Sequence, residues 1–267
     1  MALRRVLRSS LGFRRYSTHF GYETVSENEK GQRVGEVFSN VAEYYDLMND
    51  AMSGGIHRVW KDYFVNKMSP RSDTRLLDVA GGTGDIAFRC LRHMKNSALP
   101  DEHQSGEIIV CDINAEMLKV GEKRAKQDGL ELKWVQGNAE ELPFPENSFD
   151  VYSIAYGIRN VTRIQKALEE AFRVLKVGGR FMCLEFSDVQ NPIINDVYDW
   201  YSFNIIPVTG KLLSGDWKSY QYLVESIRQF PKADDFKNMI EEAGFQEVHY
   251  EKLMFGVSAI HSGFKLK

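Results

Sequence analysis

Leu76-Leu77-Asp78-Val79-Ala80-Gly81-Gly82-Thr83-Gly84-Asp85-Ile86-Ala87 is the stretch that decides the fold. An apolar run breaks into glycines, and an amphipathic pattern through Phe88 and Leu91 follows at once. The reading is strand, glycine turn, helix. Glycine lacks Cβ, so the turn can take backbone angles closed to other residues and lets a ligand lie against the main chain. In open α/β sheets, a turn of this kind at the carboxyl end of a strand is where nucleotides bind.

Gly82-Thr83-Gly84-Asp85-Ile86-Ala87 also fits the dinucleotide pattern G-x-G-x-x-G/A, so a nicotinamide cofactor is the first alternative. Two carboxylates favour a different ligand. Asp78 lies inside the strand ahead of the glycines, where it can meet a cation rather than a pyrophosphate. The next strand, Glu107-Ile108-Ile109-Val110-Cys111-Asp112, ends in an acid able to hold both ribose hydroxyls. S-adenosylmethionine, with a sulfonium and an amino-acid tail on its adenosyl group, suits this pair. Asp78, Gly81, Gly82, Thr83, Gly84 and Asp112 are therefore the candidate cofactor residues, joined by Asn138 and Ala139 after the third strand, near the adenine edge.

Outward from the turn, strands and helices alternate, which implies a parallel sheet. Strands are expected at 75–80, 107–112, 132–137, 149–155 and 180–186, with helices at 84–95, 114–127 and 162–175. Residues 96–106 form a polar surface loop. Upstream, 17–70 is expected to be a helical extension, with helix over 31–67. Downstream, 71–267 is one catalytic domain carrying an inserted cap at about 191–230. In that cap Tyr198, Trp200, Tyr201, Phe203, Ile205 and Ile206 offer an apolar wall. A helix at 232–243 and two strands, 246–253 and 256–265, close the chain.

The first sixteen residues, MALRRVLRSSLGFRRY, carry five arginines and no acid. Leu3, Val6 and Leu7 can share one helical face. An Arg-rich, acid-poor amphipathic start is a mitochondrial transit composition, and Arg14-Arg15-Tyr16-Ser17 places the cut after Tyr16. Losing five arginines takes the charge of −3 to −8, which argues against nucleic acid as a partner. A 43% hydrophobic share supports a sizeable core. No apolar run reaches the roughly 18 residues of a membrane span. Cys90, Cys111 and Cys183 show neither metal spacing nor a disulfide pattern, and no metal site is expected. Cys111 and Cys183 fall in central strands and read as small buried hydrophobes.

Further segments gather at the carboxyl ends of the strands. Tyr156-Gly157-Ile158-Arg159-Asn160 closes the fourth strand and is more polar than a turn requires. Tyr45 to Lys61, YDLMNDAMSGGIHRVWK, sets Tyr, Asp, Asn, His, Arg and Trp around a glycine break. Tyr45-Asp46-x-Met48-Asn49 with Ser53, His57, Trp60 and Lys61, followed by Arg173-Val174-Leu175-Lys176 through Gly178-Gly179 to Glu185-x-Ser187, resembles the two signatures of the ubiquinone/menaquinone biosynthesis C-methyltransferases. Tyr220-x-Tyr222-Leu223-x-Glu225-Ser226-Ile227-Arg228 matches as well. The likeness spans about 19–267. With a mitochondrial leader, the coenzyme Q branch is the nearer one. Two departures stand out: Ala155 where bacterial relatives often have serine, and a longer 96–106 loop.

The resemblance implies an α/β fold: a Rossmann-like class I S-adenosylmethionine-dependent methyltransferase, with a mostly parallel seven-stranded sheet ending in an antiparallel hairpin. It implies an enzyme that C-methylates a polyprenylated methoxy-benzoquinol, 2-methoxy-6-polyprenyl-1,4-benzoquinol. It also implies a place in the multiprotein coenzyme Q biosynthesis complex and peripheral contact with the matrix side of the inner membrane, and leaves a homodimer open. Arg159, Asn160, Tyr45 and His57 become the candidate catalytic residues. Arg159 stays protonated, so it is cast as phenolate stabiliser or orienter; it is expected near the sulfonium methyl. His57 has the ordinary pKa of a base, and Tyr45 or Asn160 could hold a relaying water. A nicotinamide oxidoreductase and a catalytically silent lipid-binding scaffold are the rival classes. For the leader, amino-terminal sequencing of the protein from its native cells should read Ser17 first; Met1 on most molecules would contradict the processing site.

Overall fold

The computed structural model describes residues 17–42, 46, 49, 50, 53–97, 105–204 and 217–267. The leader, Tyr45, most of the 96–106 loop and the Ile205–Ile206 part of the cap wall lie outside the described residues.

Seven strands form one sheet: β3 (Arg75–Val79), β4 (Glu107–Asp112), β5 (Lys133–Gln136), β6 (Phe149–Ala155), β7 (Leu175–Phe186), β8 (Gln246–Leu253) and β9 (Ser258–Phe264). Their order across the sheet is β5-β4-β3-β6-β7-β9-β8. The first five run parallel, and β9 pairs antiparallel with both β7 and β8. This is the expected fold, with each expected strand in place. The chain leaves β3 in one direction to build β4 and β5, then returns to its other side for β6 and β7. A crevice opens at that reversal, at the carboxyl ends of the strands.

Parallel strands buried on both faces read as unbroken apolar runs rather than alternations. Leu76 and Leu77 show why: both are fully buried, on opposite faces of the sheet. Leu77 packs with Tyr152, Phe181 and Leu168, while Leu76 packs with Phe64, Met182 and Ile260. Helices α2 (Ile56–Met68) and α3 (Asp85–Ser97) cover the second face. The first is covered by α5 (Ile164–Val174) and α8 (Ala233–Glu242), numbering the helices along the chain with α4 (Ala115–Gln127), α6 (Pro192–Asn204) and α7 (Trp217–Gln229) between them. In α3 the buried residues Ile86, Cys90 and Met94 recur every four positions, the spacing of one helical stripe. Cys90, Cys111 and Cys183 are free and buried, and burial pushes the Cys111 thiol up to about 12.

Two features differ from the sequence reading. Residues Ser17–Phe20 (β1) and Glu23–Ser26 (β2) form an antiparallel hairpin ahead of the helices. Four-residue strands are too short to give a period, and the one signal is Gly21 in the left-handed turn at φ +57°. The hairpin docks on α7: Phe20 stacks on Tyr222 at 4.2 Å between ring centroids, and the Tyr22 amide donates to Glu225 Oε2 at 3.1 Å. Helix α1 (Glu27–Val41) then starts at Glu27 rather than 31, capped by the Ser26 hydroxyl. The second difference is β7, which begins at Leu175 instead of 180. Gly178, at φ +85°, lets the chain arch between the Phe149–Leu175 and Val151–Arg180 pairings, so the Gly-Gly turn sits inside the strand.

Helix α4 packs tightly on the glycine turn. A Cβ on Gly121 would lie 2.4 Å from the Trp134 ring and 2.8 Å from the Thr83 carbonyl oxygen. Gly121→Ala gains about 1 kcal/mol of helix propensity but incurs about 1–3 kcal/mol of overpacking. The variant should therefore melt below the wild type and bind cofactor more weakly; a higher melting temperature would show that the contact is slack.

Candidate functional site

Three residues at the turn adopt left-handed backbone: Ala80 at φ +50°, Gly82 at +55° and Gly84 at +84°. The turn is tied to the neighbouring strand, with the Gly81 amide donating to the Cys111 carbonyl at 3.2 Å and the Gly82 amide donating to Asp112 Oδ2 at 2.8 Å. Asp112 Oδ1 accepts from the Asn114 amide at 2.8 Å. Burial raises the Asp112 carboxyl, while these amides pull it back down.

Above the turn lies a cavity of 660 Å³. Asp78, Gly81, Gly82, Thr83, Asp112, Asn138 and Ala139 line it, as the sequence reading placed them. Gly84 does not. Its left-handed angle serves the turn beneath, where a Cβ would strike Trp134 at 2.6 Å. Ala155 also lines the cavity, as does α1 through Gly31, Gly35 and Phe38, a roof the sequence reading left unassigned. The Asn114 amide nitrogen ties that roof down, donating to the Gly35 carbonyl at 3.1 Å and to Ser39 Oγ at 2.9 Å.

Asp78 is fully buried. Its Oδ1 accepts from the Ser153 hydroxyl at 2.7 Å, and its Oδ2 has no partner among the described residues. Burial pushes its carboxyl up to about 7, against the pull of that hydroxyl. A buried carboxylate oxygen without a donor is costly; a cationic ligand group in the cavity would relieve it. The donor set therefore fits S-adenosylmethionine: Asp112 for the ribose, Asp78 for positive charge, and the turn against the cofactor chain.

A second cavity of 340 Å³ adjoins the first, and Phe38, Lys61 and Tyr156 line both. Its walls are aromatic: Trp60, Phe186, Tyr198, Tyr201 and Tyr222 among them. Tyr156 stands at the shared wall with φ +55°, a strained angle for a bulky residue at a cost of about 1–3 kcal/mol. Lys61 donates to Asp85 Oδ2 at 2.8 Å. Burial opposes ionisation of Asp85, but Lys61 and Arg89 overcome it and hold the carboxyl at about 2.

The candidate catalytic residues divide between the cavities. Asn160 lines the first, and its Oδ1 accepts from the Tyr222 hydroxyl of the second at 2.9 Å. Arg159 lines the second rather than the first. It follows β6 on a short 3-10 turn, Ile158–Asn160, and its guanidinium donates to Glu185 Oε1 at 2.8 Å and to the Tyr156 carbonyl at 2.6 Å. Glu185 was read only as part of a signature; on β7 it is fully buried and raised by burial against the pull of Arg159. His57 also lines the second cavity, but its ordinary pKa does not survive folding. Burial and then the Lys61 charge push it down to about 4, so the imidazole is neutral at physiological pH and a poor proton acceptor. Lys61 and Glu185 appear in the sequence only as members of the two signatures, without a role, because only tertiary contacts show what they bond to. Among the described residues no cluster could hold a metal ion.

Known proteins are similar along nearly the whole chain. The model of the ubiE/COQ5 methyltransferase family matches residues 25–265. The protein named 2-methoxy-6-polyprenyl-1,4-benzoquinol methylase, mitochondrial, from Bos taurus is 57% identical over 93% of this chain and 84% of its own. The protein of the same name from Drosophila melanogaster is 56% identical over 96% and 88%. Among solved structures, an S-adenosylmethionine-dependent methyltransferase from Thermotoga maritima, described as a possible histamine N-methyltransferase, aligns with a TM-score of 0.60 at 18% identity, over 87% of this chain and 99% of its own. The [4+2]-cyclase SpnF aligns at 0.62 and 17% identity, over 88% and 96%. These two likenesses concern the fold alone.

With Asp78 as the partner of a cationic cofactor group, binding is expected to depend on pH. A carboxyl raised from 3.8 to about 7 contributes stability to the free protein that is lost as pH rises through 7. A cationic ligand favours the ionised form, so its binding should expel the proton. Affinity for S-adenosylmethionine should rise about eightfold between pH 6 and 7.5, and Asp78→Asn should flatten the profile. Equal slopes in calorimetric titrations of both proteins would remove Asp78 from the cation site.

Proposed function

The chain belongs to the ubiE/COQ5 methyltransferase family, and we propose that it transfers a methyl group from S-adenosylmethionine to a ring carbon of 2-methoxy-6-polyprenyl-1,4-benzoquinol. One observation carries the reading at the site: a cavity over the glycine turn, lined by carboxylates and amides as well as apolar groups, and an aromatic cavity beside it share the wall made by Phe38, Lys61 and Tyr156. The first matches an adenosyl cofactor, the second a flat apolar ring.

When bound, S-adenosylmethionine supplies an electrophilic methyl on a sulfonium. The residues of the chain then have to orient the ring, exclude water and manage one proton. A ring carbon is a poor nucleophile until a neighbouring hydroxyl loses its proton and feeds charge into the ring. Arg159, permanently cationic, lines the aromatic cavity and is proposed to stabilise that phenolate, with Glu185 holding its guanidinium still. Asn160, held by Tyr222, reaches the first cavity and is proposed to seat a relaying water. His57, neutral and in a buried pocket, is not given the proton-accepting role. Holding carbon and methyl in line is the larger contribution, on the order of 7–11 kcal/mol in well-oriented systems.

The setting follows from the substrate. Each buried methylene of a polyprenyl tail is worth about 0.8 kcal/mol, so a long-tailed quinol stays in the bilayer and the enzyme must meet it there. Relatives carrying the mitochondrial name support placement in that organelle, as does the arginine-rich leader. Among the described residues no helix is long and apolar enough to cross a membrane, so contact is proposed to be peripheral, on the matrix side of the inner membrane, alone or within a coenzyme Q biosynthesis complex. Helix α6 is divided for such a role. Tyr198 and Tyr201 face the aromatic cavity, whereas Ile193, Trp200 and Phe203 are exposed at seven- and three-residue spacings.

Purified protein given S-adenosylmethionine and a short-tailed, reduced methoxy-benzoquinol should yield a product heavier by one methylene unit, with the new methyl on carbon. Cofactor binding without that product would contradict the assignment. Replacing Trp200 and Phe203 together by serine should raise KM for a long-tailed quinol in vesicles and leave the short-tailed quinol in solution unaffected; equal effects on both would remove the lipid role of this helix.

A further inference from the structure

His57 sits on α2 with its side chain nine-tenths buried and lines the aromatic cavity. Asp50, which is not part of that lining, lies 3.3 Å from its Nε2. Asp50 is held ionised by Arg58, which donates to both carboxylate oxygens at 2.6 Å. A bare Nε2 lone pair facing that ionised carboxylate would be repelled by it, so the contact favours the neutral tautomer of His57 with its proton on Nε2. That leaves Nδ1 as a bare acceptor. It is buried and has no hydrogen-bond partner among the described residues.

Several other polar groups of the cavity are engaged elsewhere. The Tyr222 hydroxyl donates to Asn160, the Tyr156 hydroxyl meets Ser258 Oγ at 3.2 Å, and Ser53 Oγ donates to the Asn49 carbonyl at 2.7 Å. Lys61 is paired with Asp85 and Arg159 with Glu185. A buried acceptor left open in an apolar cavity is costly unless the ligand supplies a donor. A 1,4-benzoquinol carries hydroxyl donors; the corresponding quinone carries only carbonyl acceptors.

Resting on the quinol reading of this cavity, we propose that His57, set in its tautomer by Asp50, is the specificity residue that admits the reduced quinol and rejects the oxidised quinone. In the bound state Nδ1 accepts one quinol O–H. The quinone would set a carbonyl oxygen against the same lone pair and leave Nδ1 without a donor. Sites built to hydrogen-bond a substrate hydroxyl discriminate strongly against analogues lacking it, because their own polar group is then stranded.

The test is a binding comparison of a short-tailed methoxy-benzoquinol, kept reduced, with its quinone, using the full protein loaded with S-adenosylhomocysteine. The wild type should prefer the quinol by about tenfold or more. His57→Phe fills the volume without an acceptor and should bring the two affinities together by weakening the quinol. Asp50→Asn offers its amide N–H to Nε2, moves the imidazole proton to Nδ1, and should shrink or invert the preference; a merely structural contact would not do so. An unchanged preference in either variant, at wild-type cofactor affinity, would overturn the proposal, and so would a wild type that binds both forms equally. A wild type that binds cofactor but neither form would overturn the quinol reading itself, and this inference with it.

Discussion

The Asp112 carboxylate stands where β4 ends, and three parts of the molecule hang from it. One oxygen takes the Gly82 amide and fixes the turn after β3; the other takes the Asn114 amide and begins the next helix. Asn114 in turn caps α4 through its side-chain oxygen, bonding the Glu116 and Met117 amides, while its side-chain nitrogen holds the α1 roof at Gly35 and Ser39. Floor, flank and roof of the first cavity thus share one buried acid. Burying it opposes ionisation, and the surrounding amides offset that cost. Such an arrangement is set before any ligand arrives, which is what preorganised binding requires.

The fold was legible because its core strands obey a local rule. Leu76 to Val79, Ile108 to Cys111 and Val151 to Ala155 are apolar except for Asp78 and Ser153, which bond each other across neighbouring strands, and each run is followed by turn residues and an amphipathic helix. Where the rule needs length, the reading failed: the β1–β2 hairpin is too short to show a period, and the arch at Gly178 hides a strand within a glycine pair. The site was legible wherever backbone carries it. Asp78, the glycine turn, Asp112 and Asn138-Ala139 follow directly from strand ends. What depends on side-chain partners across the fold was not. Nothing local says that Arg159 is locked to Glu185 twenty-six positions later, that Lys61 spans two cavities, or that burial takes His57 from an ordinary imidazole to a neutral one near pKa 4.

The architecture itself does not select the chemistry. A cyclase and a methyltransferase share this sheet at similar TM-scores, both at low identity. Function resides in what is grafted on the carboxyl ends of the strands. Here that graft is a window: Tyr156, strained at the end of β6, Lys61 from α2 and Phe38 from α1 separate the chamber over the glycine turn from the aromatic one. Strain at Tyr156 is held by its amide on the Leu184 carbonyl and its hydroxyl against Ser258, so the shared wall is rigid on the sheet side. The helical side, α1 and α2 with the cap helices α6 and α7, supplies most of the apolar lining and sets the shape of the second chamber.

The account stands on methyl transfer across that window, and a structure of the protein with S-adenosylhomocysteine and a short-tailed quinol tests it most directly. The ring should lie in the aromatic cavity with its unsubstituted carbon facing the cofactor sulfur between Phe38, Lys61 and Tyr156, leaving room for a methyl at a reacting distance of about 3–3.5 Å. A quinol bound outside that cavity, or a ring carbon screened from the sulfur by those three residues, would contradict it.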